Sequence, residues 1–197
     1  MPITPDYSRG YPTPGLIHHD QVRLENGNTI FIYHENVPEE YMKLIDDPER
    51  RKMRIVGDCI CEVNEAGEIV WEFQLHEHLD LNEYSPEAPA DWTHTNTVRV
   101  LPENKWYDQG HKAFKPGNVV LCMRHLDKIM IVDRETKEVV WTFRGDYLGG
   151  LGFPHEPYMI KRGMPGAGNI LVFDNGVGPY AEAANRPKHQ LSWRPIR

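Results

Sequence analysis

The chain has little cysteine, 3 residues in 197, and no long apolar run. Cys59, Cys61 and Cys122 are too few for a disulfide scaffold, and their spacing fits neither a zinc knuckle nor a thioredoxin-type pair. They are expected to be buried free thiols that behave as small apolar residues. Nothing approaches the ~18 consecutive apolar residues of a membrane helix. The opening Met1-Pro2-Ile3-Thr4-Pro5-Asp6-Tyr7 lacks the basic and apolar segments of a secretion signal, so the residues leave the compartment open. Positive charge is scarce as well. The 22 Lys+Arg face 29 Asp+Glu, a formal net charge of -7, which excludes the basic face that a nucleic-acid binder needs.

Turn residues are abundant: 16 Gly and 16 Pro. Between them lie short runs rich in Val, Ile, Phe, Trp and Tyr, which read as strands. These are Gln21–Leu24, Thr29–Tyr33, Cys59–Val63, Ile69–Phe73, Thr97–Leu101, Val119–Met123, Ile129–Val132, Val139–Phe143, Tyr158–Ile160 and Ile170–Phe173. One short helix is predicted near Glu39–Arg54, opened by Pro38-Glu39-Glu40.

An internal repeat organises these strands. With His19, His94 and His155 in register, each copy runs into a Gly-Asn turn and an apolar strand: Gly27-Asn28, Gly117-Asn118 and Gly168-Asn169. The second half recurs as Glu68-Ile69-Val70-Trp71-Glu72-Phe73 and Glu138-Val139-Val140-Trp141-Thr142-Phe143. One unit is therefore four antiparallel strands, the content of a propeller blade. The expectation is an all-β partial β-propeller of about two and a half to three four-stranded blades, with one short helix in an insertion. Residues 1–17 form an N-terminal extension, 18–176 the blades, and 177–197 an irregular tail. The repeats start 75 and then 61 residues apart, more than the roughly 40–50 of a minimal blade, so segments 35–54, 75–90 and 103–115 read as insertions.

The first strand of a propeller blade lines the central channel, so the three repeat histidines are candidates to face one ligand. His94 lies in Asp91-Trp92-Thr93-His94-Thr95-Asn96, where a His-x-Asn pair on a strand puts both polar groups on one face. Arg124 follows the strand Val119–Met123 and offers a planar, charged fork for a sulfate, phosphate or carboxylate. The alternative for each is a structural role: a turn-fastening histidine, or a surface ion pair of Arg124 with Asp127 or Asp133.

These segments, with His18-His19-Asp20, Phe153-Pro154-His155-Glu156 and Gly168-Asn169-Ile170-Leu171-Val172-Phe173-Asp174-Asn175-Gly176, resemble the bacterial arylsulfate sulfotransferases. The resemblance runs from about His18 to Gly176. It implies a six-bladed propeller that transfers a sulfuryl group from a phenolic sulfate ester to a phenolic acceptor, with no cofactor and no metal. It implies that His155 is transiently sulfated, that His19, His94 and Arg124 share the catalysis, and that Asn96, His18 and Asn175 bind substrate. It also suggests a periplasmic or secreted protein if the N-terminus is truncated, and further blades, from self-association or elsewhere, to close the ring. Two other readings are a non-catalytic propeller segment that binds a partner, and a metal site built on His76 and His78.

Overall fold

A computed structural model of the chain describes residues 15–145 and 150–176, together with the backbone of residues 190–194. The described residues are all-β with only short helices. The strands are β1 (Ile17–Arg23), β2 (Thr29–Asn36), β3 (Val56–Val63), β4 (Ile69–Gln74), β5 (Thr95–Val100), β6 (Val119–Met123), β7 (Lys128–Val132), β8 (Val139–Phe143), β9 (His155–Met159), β10 (Ile170–Asp174) and β11 (Gln190–Arg194). They form three sheets, β1-β2-β3-β4, β5-β6-β7-β8 and β9-β10-β11. The chain divides into two compact units, Met1–Thr95 and Asn96–Arg197.

In the first unit β3 is buried from Val56 through Glu62, whereas the edge strand β4 exposes Ile69 and Val70. A strand covered on both faces reads as a near-continuous apolar run, and a half-covered one alternates. Strand β2 shows that alternation, with Ile30, Ile32 and His34 buried. In the second unit all five residues of β6 are buried, and Val120, Cys122, Ile129, Ile131, Met159 and Val172 share one core. Each fully buried aliphatic side chain contributes about 1.5–3 kcal/mol, so this core outweighs any single polar contact around the site.

The recurring Gly-Asn turns are present. Gly27, Gly117 and Gly168 all have positive φ, at 86°, 93° and 87°, a region open to glycine and costly for most other residues.

Two expectations change. The segment near Glu39–Arg54 is helical only at Glu39–Met42, with a 3-10 turn at Arg50–Lys52. Pro48 cannot continue a helix, and Asp47 Oδ1 accepts instead from the amides of Glu49 (2.9 Å) and Arg50 (3.3 Å). Buried Arg50 then pins the insertion, donating to the carbonyls of Pro89 and Leu81 and lying over the Tyr84 ring. The tail is not irregular throughout. Gln190–Arg194 forms β11, antiparallel to β10 with Ile170 opposite Arg194. Five residues containing only Leu191 and Trp193 as apolar members are too short a pattern to read as a strand.

Candidate functional site

In the first unit the polar centre is Asp58, one of two buried carboxylates on strand β3. It is 1% exposed and accepts four hydrogen bonds. His18 Nε2 (3.1 Å) and His34 Nδ1 (3.0 Å) donate to Oδ1; Thr93 Oγ1 and the Thr95 amide, both at 2.6 Å, donate to Oδ2. The rings of His18 and His34 stack with centroids 3.6 Å apart. Burial alone would push the Asp58 pKa up. The hydrogen bonds and charge of His18 and His34 outweigh it and hold the carboxyl well below the usual carboxylate range.

Three of those donors flank the repeat histidines: His18 precedes His19, and Thr93 and Thr95 bracket His94. Asp58 therefore clamps both segments, and the two histidines meet, with Nε2 to Nε2 at 3.0 Å. Both have left-handed backbones, φ 55° at His19 and 47° at His94. Such a conformation costs a non-glycine residue about 1–3 kcal/mol and persists only where the surroundings impose it. At His19 it accompanies a bulge, since β1 shifts register against β2 between His18 and Gln21.

Asp91 Oδ2 accepts from His94 Nδ1 at 2.6 Å. Its backbone is set by Val56, which donates to the Ala90 carbonyl and accepts from the Trp92 amide. Trp92 is fully buried, with Nε1 donating to the Glu83 carbonyl. Its ring lies against Gly57, where a β-carbon would come within 3.3 Å of it. Partial burial, followed by the neighbouring His18 and His94, lowers the His19 pKa from 6.5 to about 4.

The second unit holds His155, Asn175, Asn96 and Arg124 around the loop 152–154 that leads into β9. His155 Nδ1 lies 2.9 Å from the Phe153 carbonyl and 3.1 Å from Asn175 Nδ2, which itself donates to that carbonyl (2.8 Å). Buried Asn96 donates to the Pro154 carbonyl at 2.8 Å, and Cys122 Sγ lies 3.2 Å from the same oxygen. The Phe153 amide donates to Asp127 (2.6 Å), and the Arg124 guanidinium lies over the Phe153 ring, 3.9 Å from its centroid. A loop outside regular structure thus has its carbonyls satisfied by side chains.

Left-handed residues recur here at Phe153 (φ 46°) and Glu156 (φ 52°), with a register shift of β9 against β10 between Tyr158 and His155. By backbone conformation, the residue that matches His19 and His94 is Glu156, and His155 matches His18. Glu156 pairs with Arg99 at 2.7 Å, and its amide donates to Thr97.

Other candidate ligands have their own partners. His76 Nδ1 bonds Glu35 at 2.9 Å against the Tyr41 ring, whereas His78 stacks on Phe73, so the two do not act as a chelating pair. His18, His34 and Asp58 have the composition and closeness of a metal-binding trio. Asp58 already accepts two hydrogen bonds on each oxygen, which completes the trio as a hydrogen-bonded cluster. The sequence reading missed Asp58 and His34. The available signal was a carboxylate abutting the apolar run Cys59–Val63, a group that is buried only when paired.

These features define an all-β protein with carboxylate-backed histidines in one unit and a carbonyl-anchored histidine in the other. The chain belongs to the arylsulfotransferase family: the family model described as "Arylsulfotransferase (ASST)" matches residues 7–146. That match includes His18, His19, His94, Asn96 and Arg124, and stops before His155. A comparison with curated proteins finds no match.

Proposed function

We propose that the protein transfers a sulfuryl group from a phenolic sulfate ester to a phenol through a sulfo-histidine intermediate, and that its sheets are blades of a β-propeller running from about residue 18 to 176. The observation that carries the chemistry is the anchoring of His155. Nδ1 lies 2.9 Å from the Phe153 carbonyl and 3.1 Å from Asn175 Nδ2, and in the tautomer that donates to the carbonyl the lone pair is on Nε2. A neutral imidazole in that tautomer is a ready nucleophile.

In the first half-reaction the Nε2 lone pair forms an N–S bond as the S–O(aryl) bond breaks, and the electron pair leaves on the phenolate oxygen. In the second, the acceptor phenolate attacks sulfur and the N–S pair returns to Nε2. Arg124 supplies a fixed positive charge for the sulfuryl oxygens, because this transfer is chiefly a matter of positioning and charge stabilisation. Asn96 and Asn175 contribute by holding the carbonyls of Pro154 and Phe153, which precede His155, in addition to any contact with substrate. His19 and His94 handle the phenol proton, and His18 supports them from Asp58.

The test is turnover of a chromogenic aryl sulfate with a phenol acceptor, comparing the wild type with His155→Ala and Arg124→Ala. The expected result is ping-pong kinetics in the wild type, loss of transfer in His155→Ala, and a sulfate-mass adduct trapped on His155 without acceptor. Undiminished transfer in His155→Ala overturns the nucleophile assignment.

A further inference from the structure

We infer that Asp91, His94 and His19 form a three-member proton relay in which His19 meets the acceptor phenol, His94 takes the charge, and Asp91 is the positioning residue that sets the direction. This rests on the sulfuryl-transfer reading for its substrate, but its proton arrangement is fixed by geometry within the first unit alone.

The argument starts from what each atom can do. The Asp91 carboxylate accepts at 2.6 Å from His94 Nδ1, so that nitrogen carries a proton. In a neutral His94 the lone pair is then on Nε2. His19 Nε2 lies 3.0 Å from it, a separation that accommodates one proton and no more. His19 therefore supplies that proton, from Nε2, and its own lone pair is on Nδ1. His19 is the exposed member of the pair and His94 the more covered one.

The step that follows is balanced. The phenol O–H proton passes to His19 Nδ1, the His19 Nε2 proton passes to His94 Nε2, and the O–H electron pair stays on the phenolate oxygen. His19 ends neutral, as it began. The single positive charge resides on His94 beside Asp91. When a donor ester departs as phenolate, the same transfers run backwards.

The titratable groups around the pair within this unit, among the described residues, are His18 on β1, His34 on β2, Asp58 on β3 and Asp91 ahead of β5. Partial burial, then His18 and His94, oppose a charge on His19, and Asp58 only partly offsets them; the lowered His19 pKa, about 4, agrees with a residue that conducts a proton without storing charge. Asp91 faces His94 directly. The left-handed backbones and the Asp58 clamp keep the two Nε2 atoms at contact distance without a covalent tie.

The tautomers are read directly by imidazole 15N–1H NMR of the wild-type chain near neutral pH. The expected pattern is a proton on His94 Nδ1, an unprotonated His94 Nε2, and His19 protonated at Nε2 only. Asp91→Asn should move the His94 proton away from Nδ1. A wild-type His94 protonated at Nε2 with a bare Nδ1 overturns the relay, whatever the activity. The kinetic arm uses acceptor phenols of graded acidity. Asp91→Asn and His19→Gln should slow transfer to weakly acidic phenols by about 10²–10⁴-fold, the usual contribution of general acid–base catalysis. They should slow transfer far less to nitrophenols already ionised at the assay pH. An equal loss for both classes overturns the relay and assigns Asp91 a structural role, leaving His155 chemistry intact. A wild type that transfers nothing removes the sulfuryl reading, and the NMR pattern then decides the arrangement alone.

Discussion

Both units place histidines beside left-handed residues at the start of a strand, but they anchor them with opposite electrostatics. In the first unit the partners are carboxylates: Asp58 for His18 and His34, Asp91 for His94. In the second, the partners of His155 Nδ1 are neutral, the Phe153 carbonyl and the Asn175 amide. A carboxylate stabilises an imidazolium and so prepares a histidine to hold a proton. Neutral carbonyl and amide partners orient the ring without adding charge, which suits the proposed nucleophile. One residue type is thus divided into two chemical roles by its hydrogen-bond partner.

The largest expected effect breaks the second side of this contrast. His155→Ala should lower sulfuryl transfer by about 10⁴-fold or more, the scale seen when a nucleophile is removed. Steady-state and single-turnover assays check it.

On the carboxylate side, Asp58→Ala should act on stability. It leaves two histidine N–H groups, a hydroxyl and an amide without their acceptor, and should cost about 3–5 kcal/mol in urea denaturation. Thr93→Val removes one of those four bonds and should cost about 1.5–3 kcal/mol. A loss in Asp58→Ala no larger than in Thr93→Val would show that the clamp is not centred on the carboxylate.

Acid should weaken this unit in two stages. The folded His19 pKa, about 4, is below its unfolded value of 6.5, so the unfolded chain binds more protons and stability falls as pH drops from 6.5 towards 4. Asp58 is also held below its unfolded 3.8, so its stabilisation is full above that value and is lost as pH falls further. His19→Gln should abolish the first stage and leave the second, as followed by thermal unfolding across pH.

The smallest effect concerns the thiols. Burial raises the pKa of Cys59 to about 12 and of Cys61 to about 11, and drives Cys122 well above its ordinary value. All three are free and buried, and should react with a thiol reagent at pH 8 only after denaturation.

Much of the strand framework was legible because its signals are local. Val119–Met123 and Val139–Phe143 match their runs, and the Gly-Asn turns sit where the repeat put them. What escaped depends on pairing across distance. Asp58 gains its role from His18, 40 residues away, and from Thr93, 35 away, and no window of sequence contains all three. In the third repeat the left-handed residue is Glu156, one position after His155, a backbone feature that counting residues cannot see. Asp91 was visible as part of a motif, but its effect on a tautomer needed the 2.6 Å contact. The predicted helix ends at Met42, and Pro48 separates it from the 3-10 turn at Arg50–Lys52.

The left-handed backbone at His19 and His94 has a consequence for anyone improving this protein. Glycine or asparagine relieves that conformation, so a screen that rewards thermal tolerance alone will be drawn to these two positions. The substitutions that most readily harden the molecule are then the ones that remove the pair proposed to handle the proton. Robustness and chemistry compete for the same two residues, and a useful stabilisation campaign would hold them fixed and look elsewhere.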